Sequence, residues 1–217
     1  GGLAAHVRPW VARRAARRGA GGMTAEGLQL YDAQGRRKYM TADERARFLA
    51  AAEQAPRETR TFCLTLCYTG CRISEALALT ADRVDLDAGV VIFESLKQRR
   101  TGRYRAVPVP PAVLDALDLV HDLKALQRRA WTRRTRLWPW SRPTAWRRVA
   151  GVMREARLAG PQATPTGLRH GFGVQAVTKG IPLKMVQKWL GHAQLSTTAI
   201  YADAVGAEEQ EIASRMW

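Results

Sequence analysis

Four separated segments carry the side chains best suited to chemistry. They are Thr69-Gly70-Cys71-Arg72-Ile73-Ser74-Glu75-Ala76-Leu77, Lys97 ahead of a basic hairpin, Gly167-Leu168-Arg169-His170, and Leu190-Gly191-His192 with Tyr201 nine residues on. Arg72 stands between Cys71 and Ile73, an apolar setting where a lone charge is costly. Glu75 follows at i+3, close enough to pair with Arg72 or orient it. A guanidinium, such as that of Arg72 or Arg169, can give two parallel hydrogen bonds to a phosphate. Lys97 and His192 can give up a proton, and a tyrosine hydroxyl such as that of Tyr201 can serve as a nucleophile. Each also has a plain structural reading. An arginine is usually a surface charge, a strand-end lysine is solvated, and a histidine caps a helix or sits in a core. A tyrosine packs its ring and leaves its hydroxyl at the rim.

These residues need elements to hold them. Thr41-Ala42-Asp43-Glu44 reads as a capping box, with Thr41 as cap and Glu44 as its partner. A helix follows to about Ala55, stopped by Pro56. A second helix covers about Thr59 to Thr69, Gly70 interrupts it, and a short third runs from Arg72 to Leu77. A turn and strand over Thr80–Asp87, a strand at Val90–Phe93 and an alternating stretch at Tyr104–Val109 give a small antiparallel sheet, with the hairpin loop at Arg99–Arg103. One long helix is expected over roughly Pro111–Ala130. Others follow near 144–158, 166–179, 182–190, 196–204 and 207–216. The fold class is α+β, mainly α-helical. Residues 1–38 read as a basic, Gly/Ala/Arg-rich flexible arm, 39–205 as the folded domain, and 206–217 as a tail helix docking on its own domain or a neighbouring protomer. Met23 is a candidate natural start.

The chain has 217 residues with 35 Lys+Arg and 19 Asp+Glu, a net charge of +16, and 29 of the basic residues are Arg. Such a surface suits a polyanion, nucleic acid above all. The charge is concentrated. Residues 97–148 hold 14 Lys/Arg and 3 acids, and the first 40 residues hold 8 and 2, so the rest of the chain is close to neutral. Arg99, Arg100, Arg103, Arg105, Arg133, Arg134, Arg142, Arg147 and Arg148 are the candidate DNA-binding residues. Trp131, Trp138, Trp140 and Trp146 interleave with the later ones, two or three of them as core. No apolar run approaches the ~20 residues of a membrane span. Three cysteines argue against a disulfide scaffold and for a reducing cytoplasm. Cys63, Cys67 and Cys71 recur every four residues and read as small buried apolar groups, since no metal-ligand spacing accompanies them.

In order and spacing, the four segments resemble the tyrosine recombinase (phage integrase) family across about residues 39–205. The resemblance implies that Tyr201 attacks a DNA phosphodiester, becomes joined to the 3′ phosphate and releases a 5′ hydroxyl. A second 5′ hydroxyl then reverses the step. The phosphotyrosine bond keeps the energy of the broken bond, so neither metal nor ATP nor any other cofactor is implied. Arg72 and Arg169 match the phosphate-clamping arginines, Lys97 the lysine that protonates the leaving oxygen, and His192 a hydrogen-bond donor to the phosphate. The implied partner is double-stranded DNA, held in a synapse of four protomers on the nucleoid. Two departures stand out. Thr166 occupies the position where the family usually has a histidine, and a threonine cannot take the proton of Tyr201. His170, one residue past Arg169, is expected to point elsewhere. Only about 38 residues precede the domain, where the family usually has a further DNA-clamping domain. Thr166 is also the feature that favours the alternative, a catalytically weak or inactive DNA-binding protein with the same fold.

Overall fold

Thr41 starts the first helix by exchanging bonds with Glu44. Its hydroxyl accepts the Glu44 amide at 3.2 Å, and the Glu44 carboxylate accepts the Thr41 amide at 3.0 Å. Two of the helix's orphan donors are thereby satisfied. The computed structural model containing this helix, α1 (Ala42–Glu53), describes residues 29–94, 104–203 and 207–216. Residues 1–28, Lys97, Arg99, Arg100, Arg103 and Trp217 lie outside the described residues.

Helix α2 (Arg57–Thr69) runs through the interior and buries Phe62, Cys63, Leu66 and Cys67 along with Thr59, Thr61, Thr65 and Thr69. Three of the threonine hydroxyls donate within the helix: Thr61 to the Glu58 carbonyl at 3.1 Å, Thr65 to that of Thr61 at 2.9 Å and Thr69 to that of Thr65 at 2.6 Å. Gly70, at φ +62°, closes α2 in the left-handed region. A Cβ there would lie 2.7–2.9 Å from atoms of Phe172 and Leu190, so glycine is needed for space as well as for backbone freedom. Helix α3 (Ile73–Leu77) follows at once, with Arg72 as its N-cap residue.

A three-stranded antiparallel sheet comes next: β1 (Val84–Asp85), β2 (Val90–Glu94) and β3 (Tyr104–Pro108), in the order β1-β2-β3. The register sets Phe93 opposite Arg105 and Ile92 opposite Ala106. The two-residue period of β3 turns Arg105 and Val107 to the buried face and Tyr104 outward.

The single helix expected over Pro111–Ala130 is two helices, α4 (Pro111–His121) and α5 (Leu123–Gln127). Asp122 breaks it at φ +52°, a conformation that short Asp side chains tolerate. The Asp118 carboxylate accepts the amide of Lys124 across the break. Then come α6 (Arg142–Glu155), capped by Ser141, α7 (Pro165–Thr178), capped by Thr164, and α8 (Leu183–Leu190). The helix expected at 196–204 is also divided, into α9 (Leu195–Ala199) and a 3₁₀ turn, Ile200–Asp203. The last helix, α10 (Ala207–Ala213), ends in a 3₁₀ turn at Ser214–Met216.

Most elements share one core. A second cluster joins Leu30, Tyr39, Val174, Val186 and Leu190 around Tyr201. The folded region therefore begins upstream of Tyr39. Leu30 is buried, Tyr31 and Arg37 bridge antiparallel, and the Arg37 guanidinium holds the Glu44 carboxylate. Leu30 and Tyr39 give this stretch an apolar face that a free arm would leave in water. The tail lies on its own domain: α10 packs against α7, and the Arg215 guanidinium bonds the Thr178 carbonyl. All three cysteines are buried and unpaired to one another, as their spacing suggests. Among the described residues, no helix is long and apolar enough to cross a membrane.

Candidate active site

Two helix ends meet at Arg169. The last carbonyls of a helix have no partner within it and carry the negative end of its dipole. Arg169, on α7, donates from Nη1 to the Gly70 carbonyl at the end of α2, at 2.6 Å. It donates from Nη2 to the Leu190 carbonyl at the end of α8, at 2.7 Å. Its guanidinium is thus held in place without a carboxylate partner. Burial, then repulsion from Arg72, pushes its pKa down to about 10, and it stays charged at neutral pH.

Glu75 organises the other two arginines. Its carboxylate accepts Arg72 Nη1 at 2.9 Å and the Arg72 amide at 2.8 Å, which closes α3 at its N-terminus. The same carboxylate accepts Arg105 Nη2 at 2.6 Å and Nη1 at 3.3 Å. Burial alone would raise the Glu75 pKa. The hydrogen bonds and charge of Arg105, followed by those of Arg72, overcome this and hold it below the usual carboxylate range. Arg105, expected on the outer surface of the basic hairpin, is instead buried. Its Nε donates to the Trp189 carbonyl at 2.7 Å, another terminal carbonyl of α8. The alternation of β3 was the available signal, since Arg105 shares a face with Val107. Arg72 keeps a quarter of its side chain exposed, while Glu75 is 1% exposed.

Tyr201 sits on the 3₁₀ turn with its ring against α7. The ring flank lies over Gly173, where a Cβ would come within 2.5 Å of Tyr201 Cε2 and Cζ. The hydroxyl lies 3.5 Å from Nδ1 of His170. His192 stacks on the same ring at a centroid distance of 6.1 Å, and its Nδ1 meets the Thr198 hydroxyl at 2.9 Å. Burial, then the charges of Arg169 and Arg72, pushes the His192 pKa down to about 3, so this ring is neutral. Burial raises the pKa of Tyr201, with Arg169 and Arg72 pulling the other way. The phenol is therefore protonated at neutral pH and needs a base to become a nucleophile.

Arg72, Glu75, Arg169, His192 and Tyr201 are thus gathered by α2, α3, α7, α8 and the 3₁₀ turn, with Arg105 joining them. Lys97 lies outside the described residues. Thr166 is exposed on the first turn of α7, next to the cap at Thr164. His170 does not point elsewhere: it is buried, one turn along α7 from Thr166, and faces Tyr201. Residues 170 and 173 share a helix face, and a glycine three positions after a histidine was a signal of close approach.

The other candidate DNA-binding arginines differ among themselves. Arg133, Arg134, Arg142 and Arg147 are exposed. Arg148 is half-buried, stacks over Trp140 at 4.2 Å and donates to the Thr59 hydroxyl at 3.1 Å. Trp138 is core, with its indole N–H bonded to the Glu58 carbonyl at 2.9 Å, and Trp140 packs beside Phe62. Trp131 and Trp146 stay exposed.

Residues 38–207 match the phage integrase family. Tyrosine recombinase XerA of Thermococcus kodakarensis is 30% identical over 167 residues, which are 76% of this chain and 57% of that protein. A crystal structure of XerA recombinase aligns at a TM-score of 0.69 with 25% identity, covering 82% of this chain and 64% of that one. The XerH site-specific recombinase, bound to its difH substrate before cleavage, shares the fold at a TM-score of 0.65 and 20% identity, over 86% of this chain and 59% of that one. The chain spans less than two thirds of the length of each of these proteins.

Proposed function

The chain belongs to the phage integrase family, and from that premise we propose that it is a site-specific recombinase. It cleaves and rejoins double-stranded DNA through a 3′-phosphotyrosyl intermediate on Tyr201. Arg72 and Arg169 hold the nonbridging oxygens of the scissile phosphate and stabilise the charge that builds on the pentavalent phosphorus. Glu75 orients Arg72, and Lys97 protonates the leaving 5′ oxygen. His192, being neutral, serves as a hydrogen-bond donor to the phosphate and not as a fixed charge. No cofactor takes part in the proposed steps.

One observation carries this reading. Arg169 is fixed by two helix termini, in the same field of charge as Arg72 and the Tyr201 hydroxyl. A preorganised pair of guanidiniums needs little reorganisation when the phosphate arrives. Tyr201 is 1% exposed, so cleavage requires the groups over its hydroxyl to part when DNA binds. Exposed arginines, among them Arg133, Arg134, Arg142 and Arg147, hold the backbone of the duplex. Such contacts fix position more than sequence. Four protomers assemble the synapse in which strands are exchanged, on the nucleoid.

The test is a nicked suicide duplex, which loses a short fragment after cleavage and cannot be rejoined. The expected result is a covalent protein–DNA adduct that is absent with Tyr201→Phe. DNA binding without an adduct on any site would instead make the chain a DNA-binding protein with this fold.

A further inference from the structure

We propose that His170 is the base that accepts the proton of Tyr201. The inference rests on the recombinase reading and adds a residue to it. Three observations on one face of α7 carry it. The Nδ1 of His170 is 3.5 Å from the Tyr201 oxygen. Gly173, one turn on, removes the side chain that would push the ring away. Thr166, one turn before, is exposed and has no group able to accept a proton. His170 and Gly173 therefore form a seat, in which the glycine receives the flank of the ring and the histidine meets its hydroxyl.

A neutral imidazole with its proton on Nε2 presents a lone pair from Nδ1. Hydrogen bonds of this kind are commonly long before substrate is bound and shorten in the reacting complex. The step balances as follows. The Tyr201 O–H bond breaks and its proton passes to Nδ1. The tyrosine oxygen bonds to phosphorus, the bond from phosphorus to the 5′ oxygen breaks, and that oxygen takes a proton from Lys97. Rejoining reverses each transfer: a 5′ hydroxyl returns its proton to Lys97 and the imidazolium returns its own to Tyr201. Arg169 and Arg72 act on Tyr201 with positive charge, and an imidazolium formed beside its hydroxyl adds to that charge until the phosphate brings its negative charge. Proton transfer is thereby tied to bound DNA.

The experiment compares His170→Ala, His170→Asn and Lys97→Ala in the full chain on two nicked substrates. One has the natural 5′ oxygen at the scissile position, and the other has a bridging sulfur, a leaving group that needs no proton. Both His170 variants are expected to form adduct about 10²- to 10⁴-fold more slowly, the range for losing a general base, on both substrates. The Lys97→Ala defect is expected to disappear with sulfur. Asparagine fits the space of the ring and keeps an acceptor near Nδ1 but takes up no proton, so His170→Asn separates proton transfer from folding. Added imidazoles are expected to restore His170→Ala in order of their basicity. Parent-like cleavage by either His170 variant, faster cleavage on releasing the ring, or rescue ordered by imidazole size would overturn the proposal. Absence of any adduct with the parent chain would overturn the recombinase reading along with it.

Discussion

Arg105 grips Glu75 with both Nη atoms, at 2.6 and 3.3 Å, and the two side chains are 5% and 1% exposed. The same carboxylate holds Arg72, so one buried acid fixes one arginine that is buried and another that remains partly open to solvent. Removing one member of a buried pair leaves a stranded charge, at a cost of about 3–5 kcal/mol. Glu75→Ala should therefore lower the unfolding free energy, measured by urea titration, by an amount in that range. The double change Glu75→Leu with Arg105→Met should recover most of the stability, because apolar groups of similar volume strand no buried charge and Arg72, a quarter exposed, can turn to water. It should not recover cleavage, because Arg72 loses its orienting partner. A double variant as unstable as the single one would contradict the argument.

Gly173→Ala isolates the seat of Tyr201. Alanine favours a helix over glycine by up to about 1 kcal/mol. Here its Cβ would lie 2.5 Å from the tyrosine ring, and overpacking of this kind costs about 1–3 kcal/mol. The net change in stability should be a small loss, while adduct formation should fall by about 10²-fold, the effect of a displacement near 1 Å at a reacting group. Equal cleavage rates for Gly173→Ala and the parent would show that the ring does not need that surface.

Local rules made much of this readable in the sequence. The exchange between Thr41 and Glu44, the strands β2 and β3, and the three segments holding Arg72, Arg169, His192 and Tyr201 all rest on short-range patterns. What escaped depends on contacts between distant elements. Arg105 looked like one more arginine in a basic hairpin, and only the helix end at Trp189 and the carboxylate of Glu75 make its burial possible. His170 was set aside because the spacing from Thr166 to Arg169 drew attention to the wrong turn of α7. The break at Asp122 has no glycine or proline to announce it. The bridge between Tyr31 and Arg37 folds Leu30 back beside Tyr39, and both join the cluster around Tyr201, a contact between distant parts of the chain.

The pH dependence of stability follows from His192 and Glu44. The folded chain holds His192 neutral down to about pH 3, whereas an unfolded chain protonates it near pH 6.5. Below that value the unfolded state takes up a proton that the folded state refuses, so stability falls as the pH drops from about 6.5 toward 3. By pH 5 the loss should be about 2 kcal/mol, at 1.36 kcal/mol per pH unit. His192→Asn should reduce this slope, leaving the part contributed by His121, which burial also holds below its ordinary range. Glu44 acts at lower pH. Burial would raise its pKa, but Arg37, the Thr41 amide and Gln162 lower it to about 2. Its contribution is complete above about pH 4.5 and is lost as the pH falls toward 2. Urea midpoints between pH 2 and 8 check both windows, and an unchanged slope in His192→Asn would mean that His192 protonates in the folded chain.

The exposed arginines can be told from the packed one by salt. Each phosphate contact adds about 0.9 to the slope of log affinity against log salt on duplex DNA. Arg133, Arg134, Arg142 and Arg147 project into solvent, so replacing any one by alanine should weaken binding on all sequences. The salt slope should drop by at most about 1, with the melting temperature unchanged. Arg148 is occupied by the Trp140 ring and the Thr59 hydroxyl. Its loss removes packing and a hydrogen bond, so Arg148→Ala should lower stability by about 1–2 kcal/mol and leave the salt slope as it was. Filter binding at several salt concentrations, paired with thermal melts, separates the two classes. A reduced slope with unchanged stability in Arg148→Ala would place that guanidinium on the DNA after all.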